Sequence, residues 1–425
     1  MNSNENLNEN ISSPESVFTV CFCGTGCTRD EGEISRPESD ANIYSEKSGY
    51  IPVRIHAEIS GDIRANQSDL RPEYSSLTVR GVGENDWAIP RDWGMQIDLA
   101  GPLNVDPDLI AYSTEYSYGN QYSKLQQIVG LSMSALALHG ANNAVASGKR
   151  QFNFIGHSRG AVECIMAAWF IYTYGDDDVK KIPINIFAID PVPGTGEWYG
   201  IMTQLPPNVV HYVGIYAWDM NLPSDRPFNA LVPRPNGFMT GTDNNVTFND
   251  SWWPVNRWKY IADKNQLTDP LLPSQHPQPI NYELYACRGR HSTVSGNSTS
   301  DSGYNADKVS SHVTASPNLI YKMARAYLTK WGTEFIQKSA VEENVLSLRK
   351  RINTDHREFD LMGGGEIRTS VFAFRPYVRR VSSIYGSNPS NTYYMDDVVG
   401  DPPYKMAYPV TKDRENAGWV KWKFL

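Results

Sequence analysis

The chain has 425 residues, with 39 Lys and Arg against 47 Asp and Glu, a formal net charge of -8 and a hydrophobic share of 40%. That length allows a large buried core, and an acidic excess without any basic tract excludes a nucleic-acid partner and wholesale electrostatic docking on an anionic membrane. Five cysteines, Cys21, Cys23, Cys27, Cys164 and Cys287, are an odd number for a disulfide framework. No Cys-x-x-Cys pair or His cluster joins the first three into a metal site, so neither a metal nor another cofactor is expected.

Met1 to Glu15 is rich in Asn, Ser and Glu and lacks the basic-then-apolar form of a signal peptide. Residues 1–15 therefore read as a disordered polar tail on a protein made in the cytoplasm without a cleaved leader. Ser16 to Cys23 is the first strand, running directly into Gly24-Thr25-Gly26, a loop whose backbone amides are easily exposed. Tyr50 to Ile59 alternates well enough to be a second strand, and Ser76 to Val82 is a third. Turn formers from Gly83 to Pro107 mark a loop. Gln121 to Ser147 reads as a long amphipathic helix, with Leu125, Ile128, Val129, Met133 and Leu136 at core positions.

The stretch Phe152 to Ala161 organises the rest. An apolar run, Phe152 to Ile155, precedes Gly156-His157-Ser158-Arg159-Gly160, and Ala161, Val162, Ile165, Met166, Ala168 and Trp169 then recur at helical spacing. Strand, sharp turn and helix around Gly-X-Ser-X-Gly is the context of a nucleophile elbow. Its helix fades at Gly175-Asp176-Asp177-Asp178, where the acidic triplet reads as a solvated turn. Further strands run from Pro183 to Ile189, Val209 to Trp218 and Tyr282 to Cys287, ending at Asp190, Asp219 and the Arg288-Gly289-Arg290-His291 segment. This alternation predicts an α/β fold, an α/β-hydrolase-like, doubly wound and mostly parallel sheet.

Between Asp219 and Tyr282 lies an aromatic-rich insertion (about 220–281) with Phe238, Trp252 and Trp253 among its large side chains. A loop this long is usually functional. Trp density fits a lid or a surface contacting substrate and membrane; a satellite core is the equal alternative. Helices follow from Pro317 to Phe335 and from Val341 to Ile352, then an irregular β-rich tail. The expected organisation is a catalytic domain over 16–338 and a helical, then β-rich C-terminal extension over 339–425.

A serine hydroxyl is a poor nucleophile until a base takes its proton, and the base is a His held in one tautomer by an acid. Of eight His, His291 alone follows an apolar strand, lies between Gly289 and Ser292, and comes after both the serine and the acids. His157, inside the turn, cannot easily swing onto its neighbour's hydroxyl. Two acids end strands, Asp190 and Asp219, and either can orient the imidazole. An oxyanion hole needs two preorganised amides: the backbone of Arg159 is one, and the Gly24-Thr25 loop supplies the other. The Arg159 side chain either engages a substrate phosphate or pins a neighbouring loop. The expected activity is that of a serine esterase, with a soluble carboxylesterase or thioesterase, or a non-catalytic binding protein on the same scaffold, as alternatives.

Four segments occur in one order: Phe22-Cys23-Gly24-Thr25-Gly26, Gly156-His157-Ser158-Arg159-Gly160-Ala161, Asp190-Pro191-Val192, and Gly289 to Gly296. This set resembles the α/β-hydrolase family of type VI secretion phospholipase effectors, whose elbow reads Gly-X-Ser-Arg-Gly. The resemblance spans about residues 17 to 300. It implies Ser158 as nucleophile, Asp190 as acid and His291 as base in hydrolysis of glycerophospholipid acyl esters (A1/A2 type). It also implies a phospholipid membrane substrate, a secretion-machine component and a cognate immunity protein as partners, and delivery into a target cell by a specialised secretion system. Cys23 stands where the family has Asp, Pro191 where it has Thr, and Ser295 where it has the first Gly of a pair.

Overall fold

Apolar runs that lack polar alternation need cover on both faces, and in a computed structural model of the chain they lie at the centre of one sheet. The structure describes residues 17–25, 27, 50–61, 74–82, 101–105, 133–194, 200–219, 229–234, 247–248, 258–259, 281–296, 314–336, 338–339, 341–354, 380–382, 392–394 and 422–425. In chain order the first elements are β1 (Val17–Phe22), α1 (Ile51–Glu58), β2 (Ser76–Val79), α2 (Met133–Ala146), β3 (Gln151–His157) and α3 (Arg159–Tyr174). Next come β4 (Ile184–Ile189), α4 (Gly200–Thr203), β5 (Val209–Ala217), β6 (Ala230–Leu231), β7 (Thr247–Phe248), β8 (Trp258–Lys259) and β9 (Tyr282–Cys287). The last are α5 (Ala315–Lys330), α6 (Val345–Thr354), β10 (Arg380–Ser382), β11 (Thr392–Tyr394) and β12 (Trp422–Phe424).

The central sheet has seven strands in the order β12-β9-β5-β4-β3-β1-β2. Every pairing in it is parallel. The chain first steps outward from β1 to β2, then crosses back to β3 and continues the other way. Strand order therefore reverses between β1 and β3, and in open α/β sheets ligands collect beyond the carboxyl ends at such a reversal. The α/β class expected from the alternation is the class observed, and the order is consistent with a hydrolase-like sheet.

Side chains alternate between two cores. Phe18, Val20, Phe152, Phe154, Ile186 and Tyr212 pack with α2 and α3 on one face. Cys21, Ile155, Phe187, Val213 and Ile215 pack with α1, α5 and α6 on the other. Helix α2 is buried on all sides from Met133 to Ala144, because residues 101–105 also cover it, with Leu103 N–H donating to Asn142 Oδ1 at 3.1 Å. The five cysteines are buried and none is in a disulfide, and burial raises the pKa of Cys21, Cys164 and Cys287.

Several boundaries differ from the sequence expectation. Tyr50 to Ile59 is not a strand: Ile51–Glu58 is helix α1. Ile51, Val53 and Ile55 fit period two, but Ile51, Ile55 and Ile59 fit a helical face equally well, and all of these are buried. Pro52 in the first turn and an Arg54–Glu58 ion pair at i, i+4 decide for the helix. The third strand stops at Val79 rather than Val82. The long helix expected over 121–147 is described from Met133 only, and 121–132 lie outside the described residues.

Within the aromatic-rich insertion, β6 pairs with β10 in parallel and β7 pairs with β8 antiparallel. Trp252, Trp253 and Phe238 lie outside the described residues. The C-terminal segment joins the central sheet through β12, which pairs with β9.

The centre of the first core is Phe154, fully buried, edge-on to Phe22 at 5.8 Å and stacked with Phe152 at 6.4 Å. Phe154→Ala should lower unfolding free energy by about 3–5 kcal/mol, read as a drop in denaturant midpoint at unchanged slope.

Candidate active site

Ser158 joins β3 to α3 with φ 57° and ψ -124°, a conformation that L-residues adopt only when their surroundings force it. The forcing contacts are backbone to backbone. A Cβ on Gly160 would lie 2.5 Å from the carbonyl oxygens of Phe22 and Cys23, and one on Gly156 would lie 2.4 Å from the Gly160 oxygen. Only glycines let strand and helix approach so closely. The turn is also tied to the next strand end: Ser158 N–H donates to Ile189 O at 3.0 Å, and Val192 N–H donates to Ser158 O at 3.2 Å.

Three of the sequence-selected side chains meet here. Ser158 Oγ lies 2.8 Å from His291 Nε2, and His291 Nδ1 lies 2.6 Å from Asp190 Oδ2. An ionised carboxylate only accepts, so Nδ1 carries the proton and Nε2 is left to accept the serine hydroxyl. Asp190 is fully buried. Its Oδ1 accepts Ala217 N–H at 3.1 Å, and its own N–H donates to Ile215 O at 2.7 Å. With φ at 41°, Asp190 is a second non-glycine residue in left-handed backbone, at the end of β4. Two adjacent strand ends thus both carry strain, and both turn a polar side chain toward one imidazole.

The other acid does something different. Asp219, fully buried at the end of β5, accepts Arg288 Nε at 2.9 Å and Nη2 at 3.1 Å, and also Gly289 N–H at 2.9 Å. It holds the loop that carries His291 through that loop's guanidinium and backbone. Of the two strand-end acids, Asp190 is the one hydrogen-bonded to His291. Among the remaining histidines, His56 pairs with Ser76 and His211 with Glu283, both away from the serine. His139 lies on α2, and His276, His312 and His356 lie outside the described residues.

The expected oxyanion donors separate. Arg159 N–H belongs to the first turn of α3, where helix amides have no intrahelical acceptor. Gly24 N–H, expected as a donor to substrate, instead donates to the Tyr50 hydroxyl at 2.5 Å. The Arg159 side chain is buried and its Nη1 donates to Thr25 Oγ1 at 2.8 Å, which is the loop-pinning alternative. Burial lowers its pKa to about 10, with Glu163 acting the other way, so the guanidinium stays charged at neutral pH. Behind it, burial raises the Glu163 carboxyl well above its usual range against the pull of Arg80 and Arg159.

The acidic triplet forms a turn, where Asp176 Oδ1 accepts the N–H groups of Asp178 and Val179 and Asp177 pairs with Lys180. Among the described residues, no group of three or more His, Cys, Asp or Glu side chains is placed to hold a metal ion. Nor is any described helix long and apolar enough to cross a membrane.

No protein-family model and no curated protein matches the chain. Solved structures similar to it include an uncharacterised protein from Pseudomonas aeruginosa, at 13% identity and a TM-score of 0.38, over 85% of this chain and 55% of that one. Another is an effector of the type 6 secretion system bound to the VgrG spike, at 11% identity and a TM-score of 0.20, over 53% of this chain and 50% of that one. The chain thus spans about half the length of each of these proteins.

The Asp219–Arg288 pair is almost wholly buried, and removing one partner of such a pair strands the other's charge. Asp219→Ala should therefore cost about 3–5 kcal/mol of stability, measured by denaturant unfolding; an unchanged midpoint would refute the role given to it.

Proposed function

We propose that the chain is a serine esterase of lipase type, with Ser158 as nucleophile, His291 as general base and Asp190 as the acid that orients the imidazole. The observation that carries this reading is the continuous hydrogen-bond line from Ser158 Oγ through His291 to Asp190, at 2.8 and 2.6 Å, from three different strand ends. Distances in that range allow proton transfer as the serine attacks.

In the reaction, Ser158 Oγ adds to the ester carbonyl carbon while His291 Nε2 takes its proton. The imidazolium so formed is stabilised by the Asp190 carboxylate. The carbonyl oxygen becomes an anion, held by the Arg159 amide at the head of α3 and by the Thr25 amide. Collapse expels the alcohol, which leaves with the proton from His291. Water, deprotonated by the same imidazole, then releases the carboxylic acid and restores the serine.

The substrate class rests on the motif resemblance. Acyl esters of membrane glycerophospholipids are the reading it supports, with Trp252, Trp253 and Phe238 of the insertion as the membrane-contacting side chains. A secretion-machine component and an immunity protein are the partners that go with it, and a target cell is the destination. The domain division at 16–338 and 339–425 belongs to the same proposal.

Ser158→Ala should abolish release of fatty acid from phospholipid vesicles and from short-chain esters with an unchanged unfolding midpoint. Asp190→Asn should lower kcat by about 10⁴-fold by favouring the wrong tautomer. Retained hydrolysis by the serine variant would refute the assignment, and lipid-product mass spectrometry would name the bond cut.

A further inference from the structure

The elbow histidine, set aside in the sequence because it cannot reach its neighbour's hydroxyl, makes contacts the reaction scheme above does not use. His157 Nε2 lies 3.1 Å from the backbone oxygen of His291. Its Nδ1 lies 3.1 Å from the Tyr50 hydroxyl, which also accepts Gly24 N–H at 2.5 Å. The two imidazoles are neighbours, with ring centroids 4.6 Å apart, tilted by 35°. His157 is buried and Tyr50 is fully buried.

The directions of these bonds follow from the groups involved. A carbonyl oxygen only accepts, so Nε2 of His157 carries its proton and donates to His291. In the neutral ring Nδ1 is then an acceptor, and the Tyr50 hydroxyl donates to it. The Tyr50 oxygen keeps a lone pair for Gly24 N–H. Burial, reinforced by nearby Cys27 and Cys23, raises the Tyr50 pKa well above its ordinary value, so it stays a donor. Gly24 is required by the same geometry: a Cβ there would lie 2.6 Å from His157 Nδ1 and 2.9 Å from the Tyr50 oxygen.

We infer that His157 is a positioning residue, a neutral imidazole whose one-way hydrogen bonds hold the His291 backbone against the nucleophile turn and the Gly24-Thr25 loop. Gly24, Tyr50, His157 and His291 come from four separate places in the chain, and a single relay of three hydrogen bonds joins them. It explains why the Gly24 amide is turned away from substrate. A second proton on the ring would reverse the Tyr50 hydrogen bond and put a cation beside the imidazolium that His291 becomes. The inference rests on the proposed esterase reading for its effect on rate, while the bonds themselves can be tested apart from turnover.

Two substitutions in the full chain separate hydrogen bonding from packing. His157→Phe keeps a ring but loses both bonds; His157→Gln loses the ring but keeps an N–H for the His291 carbonyl and an oxygen for Tyr50. With a soluble short-chain ester, His157→Phe should lower kcat by about tenfold or more at nearly unchanged KM, and His157→Gln should recover most of it. Imidazole ¹⁵N NMR of the wild type at neutral pH should show His157 as the Nε2–H tautomer, with Tyr50→Phe shifting its Nδ1 resonance. Full activity in His157→Phe, or a Gln variant no better than Phe, would overturn the inference; so would an Nδ1–H tautomer or an imidazolium. Absence of turnover by the wild type would refute the esterase reading instead, and the tautomer would still decide the role of His157.

Discussion

The contact between Ser158 Oγ and His291 Nε2 joins residues 133 positions apart, and much of the carboxyl edge of the sheet is arranged to keep them 2.8 Å from each other. Strands β3, β4, β5 and β9 are parallel neighbours, so their ends open onto one rim. Ser158 leaves β3 through a left-handed turn, Asp190 leaves β4 through another, and Asp219 leaves β5 to bind the backbone of the loop after β9. Backbone strain of this kind persists only where the surroundings over-determine it. Here they do, through glycines in contact with carbonyl oxygens and through hydrogen bonds from each strand end to the next.

Charges buried near this rim fix geometry more than they add stability, because desolvation offsets much of the attraction in a buried pair. Arg288 and Asp219 set the loop that carries His291, and Arg159 sets the Thr25 loop. At the far end of the sheet another polar network does a different job. Trp331 Nε1 donates to His211 Nδ1, and the opposite His211 nitrogen bonds Glu283, which also accepts from Tyr285 and Tyr327. That network fastens α5 to β5 and β9, and Asn153 on β3 reaches the Trp331 oxygen and Thr333. The rim carries Ser158, Asp190 and His291.

The strands were legible because a strand covered on both faces needs no polar alternation, and Phe152 to Ile155, Pro183 to Ile189 and Val209 to Trp218 are nearly continuous apolar runs. The turn at Ser158 was legible because its glycines and its flanking strand and helix are local. Helix α1 was not, since Ile51, Val53, Ile55 and Ile59 satisfy two periods at once. Asp190 and Asp219 both end strands, so strand position alone does not say which carboxylate meets the imidazole; the motif resemblance points to Asp190, and the Asp190–His291 hydrogen bond agrees with it. The Tyr50–His157 contact spans 107 positions, so nothing beside either residue announces it, and without it Gly24 looks like an open amide. The pairing of Trp422–Phe424 with β9 is equally long-range.

The central claim is that one serine among many is made nucleophilic by this arrangement. A fluorophosphonate probe followed by peptide mapping tests it most directly, because phosphonylation requires the serine to lose its proton to a base. A single adduct on Ser158, absent after His291→Ala, is the predicted result. An unlabelled chain, or an adduct on another residue with Ser158 unmodified, would contradict the account.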